Sequence, residues 1–158
     1  MSTKHERYQK VWRQYQLEHE HREATAKEVA EWAVKKKYLV AQRINPLDDL
    51  ASQISQAMRA EYKTDSHGRR FRANHARRAL RDGEQITIWA TMEHASHEHM
   101  EVAFTQRRQQ IVSDCLQLKT DVDVYNDHIS GKGNPEIPLE LDFTEDVAER
   151  QAFREDAA

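Results

Sequence analysis

Apolar residues in the first part of the chain recur with the spacing of amphipathic helices. The first predicted helix covers residues 4 to about 19 and carries one apolar stripe on its surface. That stripe consists of Tyr8, Val11, Trp12 and Tyr15. A second helix is expected to begin at Thr25, because Thr25 and Glu28 have the spacing of a capping box. Its apolar face would be formed by Val29, Trp32 and Ala33.

A third helix is predicted to follow Asn45, which can cap it, with Pro46 at the first helical position. Its apolar positions are expected to face a core: Leu47, Leu50, Ile54, Ala57 and Met58. Its polar face carries Ser52, Gln53, Gln56, Arg59 and Lys63. Glutamine and arginine can each make two parallel hydrogen bonds to a base edge, so this face suits DNA reading. An ordinary solvated surface is the alternative interpretation.

The pattern changes to alternation between residues 63 and 92, which predicts a β-hairpin. In the first strand Phe71, Ala73 and His75 would share a face, and the second strand would run from about residue 85 to 92. We expect a basic turn between the strands, containing Arg77, Arg78 and Arg81. Arginines concentrated on one hairpin are typical of a surface that binds phosphates.

A long fourth helix is predicted from about His97 to His128, with Ser96 as its cap. Two interleaved sets of residues spaced by seven give it a heptad stripe, interrupted at Arg108. The stripe contains Phe104, Ile111, Cys115, Leu118, Val122 and Tyr125. Either the helix's own domain or the same helix of a second chain could cover this stripe. We expect the second chain, and therefore a homodimer.

Charge is distributed unevenly over the 158 residues, although the net charge is only −3. Residues 63–83 contain seven lysines and arginines but two aspartates. Residues 136–158 contain eight acidic residues and two arginines. The basic segment predicts binding to a polyanion. The acidic tail would be either flexible or a short helix that docks on a protein partner.

The order of three helices followed by a hairpin is the layout of a winged helix-turn-helix domain, in which the third helix reads the major groove. The strings TAKEVAEWAVKKKYL and LASQISQAMRAEY resemble two successive helices of the HARE-HTH family of winged helices. Phe71 and Trp89 resemble the aromatic residues of that family's wing. The resemblance covers about residues 8–92 and implies a partner such as DNA, chromatin or RNA polymerase. This chain departs from the pattern in its long basic wing and in the long helix that follows.

No pattern in the sequence predicts catalysis or a cofactor. His97, Glu98 and His99 lack the spacing of two histidines four apart, so a metal site is not expected. Cys115 lies on the apolar stripe and is expected to be a small buried hydrophobe. The chain is therefore predicted to be a non-enzyme without metal or cofactor. A single cysteine, the absence of a long apolar run and a polar N-terminus favour a cytoplasmic protein that does not cross a membrane.

The sequence thus predicts a mainly α fold with a small β-hairpin: a winged-helix domain at 1–93, a long helix at 94–130 and an acidic tail at 131–158. The expected function is DNA binding by a transcriptional or chromosomal regulator. The residues predicted to contact DNA are Gln53, Gln56, Arg59, Lys63, Arg69, Arg70, Arg72, Arg77 and Arg78. The alternative is a protein-interaction module in which the winged helix is a scaffold, the long helix pairs with a partner and the tail docks.

Overall fold

A computed structural model describes residues 3–41, 43, 45–128 and 133–156 of the chain. The chain divides into two compact units, Met1–Leu50 and Ala51–Ala158. The fold is mainly helical, with small antiparallel hairpins and one long helix. This confirms the predicted fold class at that level. No described helix has the length and the apolar character needed to cross a membrane.

The first unit contains helices α1 (Lys4–Glu18) and α2 (Ala26–Lys35). Both begin with a capping box, and the one predicted at Thr25 is confirmed by a 3.2 Å bond from the Glu28 amide to the threonine hydroxyl. The Glu28 carboxylate in turn accepts a 2.6 Å bond from the Thr25 amide and a 2.9 Å bond from the Thr25 hydroxyl, and these two bonds to the carboxylate lower the pKa of Glu28. The helix start is thereby fixed by four adjacent residues of sequence.

An aromatic cluster joins α1 to α2. The ring of Tyr15 meets the edge of Trp32 at 5.3 Å between centroids, and Trp32 in turn meets Tyr38 at 5.3 Å. Tyr15 is buried together with Val11. Only half of the predicted apolar stripe is therefore buried, because Tyr8 and Trp12 are the exposed members of it.

Helix α3 (Pro46–Ala60) begins as predicted, with the Asn45 side chain accepting a 3.1 Å bond from the Leu47 amide. The prediction that its apolar face is buried is wrong, since none of its residues is buried. The side chain of Leu47 is 74% exposed and that of Ile54 is 49% exposed. Periodicity identifies a helix and its apolar face but does not say whether another element covers that face.

The basic segment forms two hairpins where the sequence predicted one. Strand β1 (Tyr62–Thr64) pairs with β2 (Arg70–Arg72), and β3 (Asn74–Arg81) pairs with β4 (Glu84–Thr91). The predicted basic turn is wrong, because Arg77, Arg78 and Arg81 lie within β3. Asp82 and Gly83 form the actual turn, with φ of 53° and 78°. Two adjacent residues with positive φ are what a two-residue hairpin turn requires, and Asp-Gly is a favoured pair for it.

Helix α4 (His97–His128) confirms the predicted long helix, and the Ser96 hydroxyl caps it by accepting a 3.1 Å bond from the His99 amide. Its N-terminal part packs against β3, where His99 and Ala103 are buried. Near its other end, the Asn126 amide donates to the Ile137 carbonyl and accepts from the Ile137 amide, each at 2.9 Å. The chain after the helix therefore turns back towards α4.

The acidic tail contains helix α5 (Thr144–Asp156), which has no buried residue. Asp142 starts the helix by accepting hydrogen bonds from the amide and the hydroxyl of Thr144, which lower the pKa of Asp142. Of the two forms expected for the tail, flexible chain or short helix, the structure has the helix. Its docking on a partner stays a prediction.

Candidate functional site

A cleft of about 240 Å3 lies between the β3–β4 hairpin and α4. Arginines from four elements line it: Arg59 of α3, Arg72 of β2, Arg77 and Arg78 of β3, and Arg107 of α4. We call these five residues and the space between them the arginine cleft. Among the residues that the structure describes, no aspartate or glutamate lines it. The cleft therefore offers planar donors for a phosphate or carboxylate ligand and has no competing acid in its wall.

None of the five cleft arginines forms an ion pair with a carboxylate in the described ranges of the chain. The guanidinium of Arg59 instead lies over the ring of Trp89, 5.4 Å from its centroid. The carboxylate of Glu61 accepts a 2.7 Å bond from the side-chain amide of Asn74, which lines the cleft.

Two buried histidines hold Arg77 and Arg72 in position. The Nε of Arg77 donates to Nδ1 of His99 at 3.2 Å, and Nε2 of His99 donates to the His75 carbonyl at 2.9 Å. A guanidinium only donates, so Nδ1 of His99 is the acceptor and the ring has the neutral bonding pattern. Nε2 of His75 donates to the Arg72 carbonyl at 2.9 Å, and the His75 ring meets the edge of Phe104 at 5.2 Å. Nε of Arg77 is therefore occupied, while its terminal nitrogens make no hydrogen bond to the described residues.

Gln106 of α4 fixes Arg78 from the side of β3 that faces away from β4. Its side-chain oxygen accepts a 2.7 Å bond from the Arg78 amide, and its side-chain nitrogen donates to the Arg78 carbonyl at 3.0 Å. The side chain thus pairs with both backbone groups of Arg78, as a neighbouring strand would. This contact docks α4 on β3 and fixes the backbone position from which the Arg78 side chain extends.

Two titratable groups beside the cleft respond to its positive charge. The pKa of Tyr62 is lowered, first by the hydrogen bond that Arg72 gives its hydroxyl and then by the charges of Arg72, Arg70 and Arg107. The pKa of His75 is lowered first by burial and then, against the Arg72 carbonyl bond, by the charges of Arg107 and Arg72. Nearby positive charge disfavours the protonated form of both groups, so its effect on both pKa values is to lower them.

The structure gathers four of the nine predicted DNA-contacting residues, namely Arg59, Arg72, Arg77 and Arg78, into the cleft. The other basic residues have partners elsewhere. Arg69 is bound by Asp65, with a guanidinium nitrogen 2.7 Å from the carboxylate, and these bonds lower the pKa of Asp65. The ammonium of Lys63 lies 3.3 Å from the carboxylate of Glu93. The guanidinium of Arg70 lies over the Tyr62 ring at 4.2 Å.

Gln53 and Gln56 are exposed on α3, and neither lines the cleft. Sequence reasoning missed Arg107 and Gln106, which come from α4. In the sequence, Arg107 lies outside the heptad stripe and the basic hairpin segment. Only the packing of α4 on β3 brings it to the arginines of the hairpin.

The predicted dimerisation stripe of α4 is divided between exposed and half-buried residues. Phe104, Ile111 and Leu118 are exposed, by 47%, 52% and 47% respectively. Cys115, Val122 and Tyr125 are half-buried. Two further apolar residues of α4, Leu116 and Val124, are 67% and 48% exposed. Self-association through this helix stays a prediction.

In the described part of the chain, no group of three or more histidine, cysteine, aspartate or glutamate side chains is arranged to hold a metal ion. His99, one of the histidines considered for such a site, is instead bonded to Arg77 and to the backbone of His75. Cys115 is half-buried and unpaired with any other cysteine, since the chain has one.

The chain was compared with protein-family models, with curated proteins and with solved structures, and none of the three comparisons found a match.

Proposed function

We propose that this protein binds DNA and that the arginine cleft holds the phosphate backbone. The observation that carries this proposal is the convergence of five arginines from four elements on one cleft whose wall has no acid. Arginine is suited to phosphate because its planar guanidinium can donate two parallel hydrogen bonds to it. A regulator of transcription or of chromosome structure is the class of protein that we propose.

The buried contacts beneath the cleft support a binding role over a chance cluster of charge. Bringing like charges together costs free energy, and none of these five arginines is ion-paired with a carboxylate of the described residues. The fold nevertheless positions Arg77 through buried His99 and Arg78 through Gln106. An anionic ligand would relieve the repulsion, and the order imposed by these contacts would lower the entropic cost of binding it.

The winged-helix assignment belongs to the same proposal. Three helices precede the hairpins in the order of a winged helix, and Arg59 near the end of α3 lines the cleft. In this proposal Gln53 and Gln56 contact base edges while the cleft arginines contact phosphates.

The proposal predicts a steep dependence of DNA affinity on salt, because each phosphate contact releases about one counterion. We expect the double variant Arg77→Ala/Arg78→Ala to bind a mixed-sequence DNA more weakly. The slope of log affinity against log salt concentration should fall by about two. Fluorescence anisotropy at several salt concentrations measures both quantities.

A matched control removes two basic residues that already have acidic partners, Lys63→Ala/Arg69→Ala. Lys63 is paired with Glu93 and Arg69 with Asp65, so the slope should be nearly unchanged. If the two double variants lower the slope equally, net charge and not the cleft attracts DNA. If wild-type protein does not bind DNA at low salt, the proposal is wrong.

The exposed apolar residues of α4 favour a second candidate, a protein-interaction function in which α4 pairs with the same helix of another chain. Phe104, Ile111 and Leu118 recur at intervals of seven and are each about half exposed. Apolar side chains grouped on one helix are typical of an interface. We propose a homodimer through this face as the alternative or accompanying function.

Leu118→Asp tests this candidate, because a charge in an apolar interface is costly without a partner. We expect light scattering to show a dimer for wild-type protein at tens of micromolar and a monomer for the variant, with the helical circular dichroism retained. A monomeric wild-type protein at that concentration would exclude the dimer without bearing on DNA binding.

A further inference from the structure

The last turn of α3 is bonded to the base of the β3–β4 hairpin. None of the residues of α3 is buried, so the direction of this helix does not depend on a covered apolar face. Arg59 in its last turn lies over the ring of Trp89 in β4, 5.4 Å from the ring centroid. Just after the helix, the Glu61 carbonyl accepts a 3.0 Å bond from the Ala73 amide. These contacts join the helix to the hairpin beside the arginine cleft, which Arg59 and Trp89 both line.

The side chain of Asn74 makes two further bonds at this junction. Its amide nitrogen donates to the Met58 carbonyl at 3.3 Å and to the Glu61 carboxylate at 2.7 Å. The last four carbonyls of an α-helix have no partner inside the helix, and Met58 lies in the last turn of α3. Asn74 is the first residue of β3 and lines the arginine cleft. It therefore bonds the end of α3 to the strand that carries the cleft arginines.

The hydroxyl of Thr91 orients the Asn74 amide. Thr91 lies opposite Asn74 in the pairing of β3 with β4, and its hydroxyl donates to the Asn74 side-chain oxygen at 3.0 Å. A carbonyl and a carboxylate only accept, so the amide nitrogen must face Met58 and Glu61 while the amide oxygen faces Thr91. Both amide protons are used in these bonds. Asn74 thus serves as a link between α3 and the hairpin.

This link joins two kinds of proposed DNA contact. Gln53 and Gln56 of α3 are proposed to contact base edges, and the cleft arginines are proposed to contact phosphates. Phosphate contacts fix the position of a protein on the duplex, whereas sequence is selected by side chains that reach the base edges. If α3 could tilt about its last turn, the hairpin would keep its phosphate contacts and the glutamines would lose their position in the groove. The ordering of α3 would then add to the cost of binding a specific site.

We infer that Asn74, oriented by Thr91, is a positioning residue for sequence selection by this protein. It holds α3 in a fixed direction relative to the arginine cleft and acts through Gln53 and Gln56. This inference rests on the DNA binding proposed above and adds the residues that make duplex binding selective.

The test begins with the selection of a preferred duplex by the wild-type protein from a library with a randomised central segment. The measured quantity is the selectivity ratio, the affinity for the enriched duplex divided by that for a duplex of the same composition in scrambled order. Thr91→Val removes the hydroxyl, keeps the shape of the side chain and lies outside the cleft lining. We expect this variant to lower the selectivity ratio about threefold, because it removes one hydrogen bond of the link. The slope of log affinity against log salt on the scrambled duplex should stay at its wild-type value, since every cleft arginine remains.

Three further variants sharpen the test. Thr91→Ser keeps the hydroxyl and should keep the wild-type selectivity ratio. Asn74→Ala removes the whole link and should lower the ratio about tenfold, which is the scale of one amide–base contact. Val11→Ala is the control for a general loss of stability, because Val11 is buried in α1 and takes no part in the junction. It should lower the urea midpoint and leave the ratio unchanged.

The outcomes separate the inference from the proposal on which it rests. Failure to bind either duplex overturns both. A wild-type protein that enriches no sequence, or a selectivity ratio that Thr91→Val and Asn74→Ala leave unchanged, overturns the inference and leaves phosphate binding by the cleft in place. A ratio that Val11→Ala lowers as much as Asn74→Ala overturns it as well. A ratio that Thr91→Val lowers and Thr91→Ser keeps, with the salt slope unchanged, supports the inference.

Discussion

Both hairpins are rich in basic residues, but they differ in whether those residues are paired with acidic side chains. In β1–β2 and its loop, Arg69 is neutralised by Asp65, and Lys63 is paired with Glu93. In β3–β4, Arg77 and Arg78 have no carboxylate partner within the described residues and face a cleft with three more arginines. A count of basic residues treats the two hairpins alike. Which arginines already have a partner decides where a ligand can bind.

The hairpins also differ in how they are anchored. The β3–β4 hairpin packs against α4 through buried His75 and His99 and through Gln106. Every residue of β1 is exposed, and the Asp65 loop is held by bonds within four residues of sequence. We therefore expect changes in the second hairpin to alter stability and binding together, and changes in β1 and the Asp65 loop to alter little. Arg72 of β2 is the exception in the first hairpin, because it lines the cleft.

The largest effect on stability is expected from His99→Ala. The substitution removes a buried ring and leaves the His75 carbonyl and Nε of Arg77 without their partner, at a cost of about 2–3 kcal/mol. Urea denaturation measures this cost. Asp65→Ala, the corresponding change in the first hairpin, should leave the urea midpoint close to that of wild type. Equal losses for the two variants would show that the hairpins are anchored alike.

A smaller effect is expected from pH, again confined to the second hairpin. Burial lowers the pKa of His75 below its ordinary value of 6.5, so the unfolded chain takes up a proton there more readily than the folded chain. The contribution of His75 to stability is complete above pH 6.5 and is lost as pH falls below that value through the folded-state pKa. The urea midpoint should therefore decrease from pH 7.5 to pH 5.5.

His75→Gln is the control for this pH dependence. Glutamine does not titrate, and its amide can donate to the Arg72 carbonyl in place of Nε2. The decrease in the urea midpoint between the two pH values should be smaller in the variant than in wild type. A variant with the same decrease would assign the pH dependence to other groups.

The smallest effect is expected in the first hairpin. It tests whether the ion pair with Asp65 keeps Arg69 from binding a DNA phosphate. Asp65→Asn removes the charge that holds Arg69. If a freed Arg69 reaches a DNA phosphate, the slope of log affinity against log salt should rise by about one and affinity should increase severalfold at low salt. An unchanged slope would mean that the position of Arg69, and not its pairing with Asp65, keeps its guanidinium from a phosphate.

Local signals in the sequence were sufficient for the helices. The Thr25 capping box, the Asn45 cap and the Ser96 cap each lie within four residues of the groups that they bond. The long apolar repeat of α4 was sufficient to predict its full extent. These contacts join residues that are close in sequence, so residue types and their spacing are enough to predict them.

Features that depend on contacts distant in sequence were missed. The apolar face of α3 follows the pattern of a buried face, yet whether a face is covered depends on elements that periodicity does not identify. The hairpins were merged because alternation runs without a break through residues 70–75, and Ala73 interrupts the pairing only through bonds to Glu61 and Met92. The same limit applies to the site, because Arg107 and Gln106 join Arg78 from about 28 residues away.

The turn at Asp82–Gly83 has a consequence for how the chain tolerates changes in length. Two residues with positive φ set the pairing so that Arg78 lies opposite Thr87 and Arg77 opposite Ile88. One residue more or fewer in either strand would shift the pairing by one position and exchange the two sides of the strand. Insertions or deletions of single residues between Asn74 and Thr91 should therefore be tolerated worse than most substitutions there, since each would exchange the sides of the strand on which Arg77 and Arg78 lie.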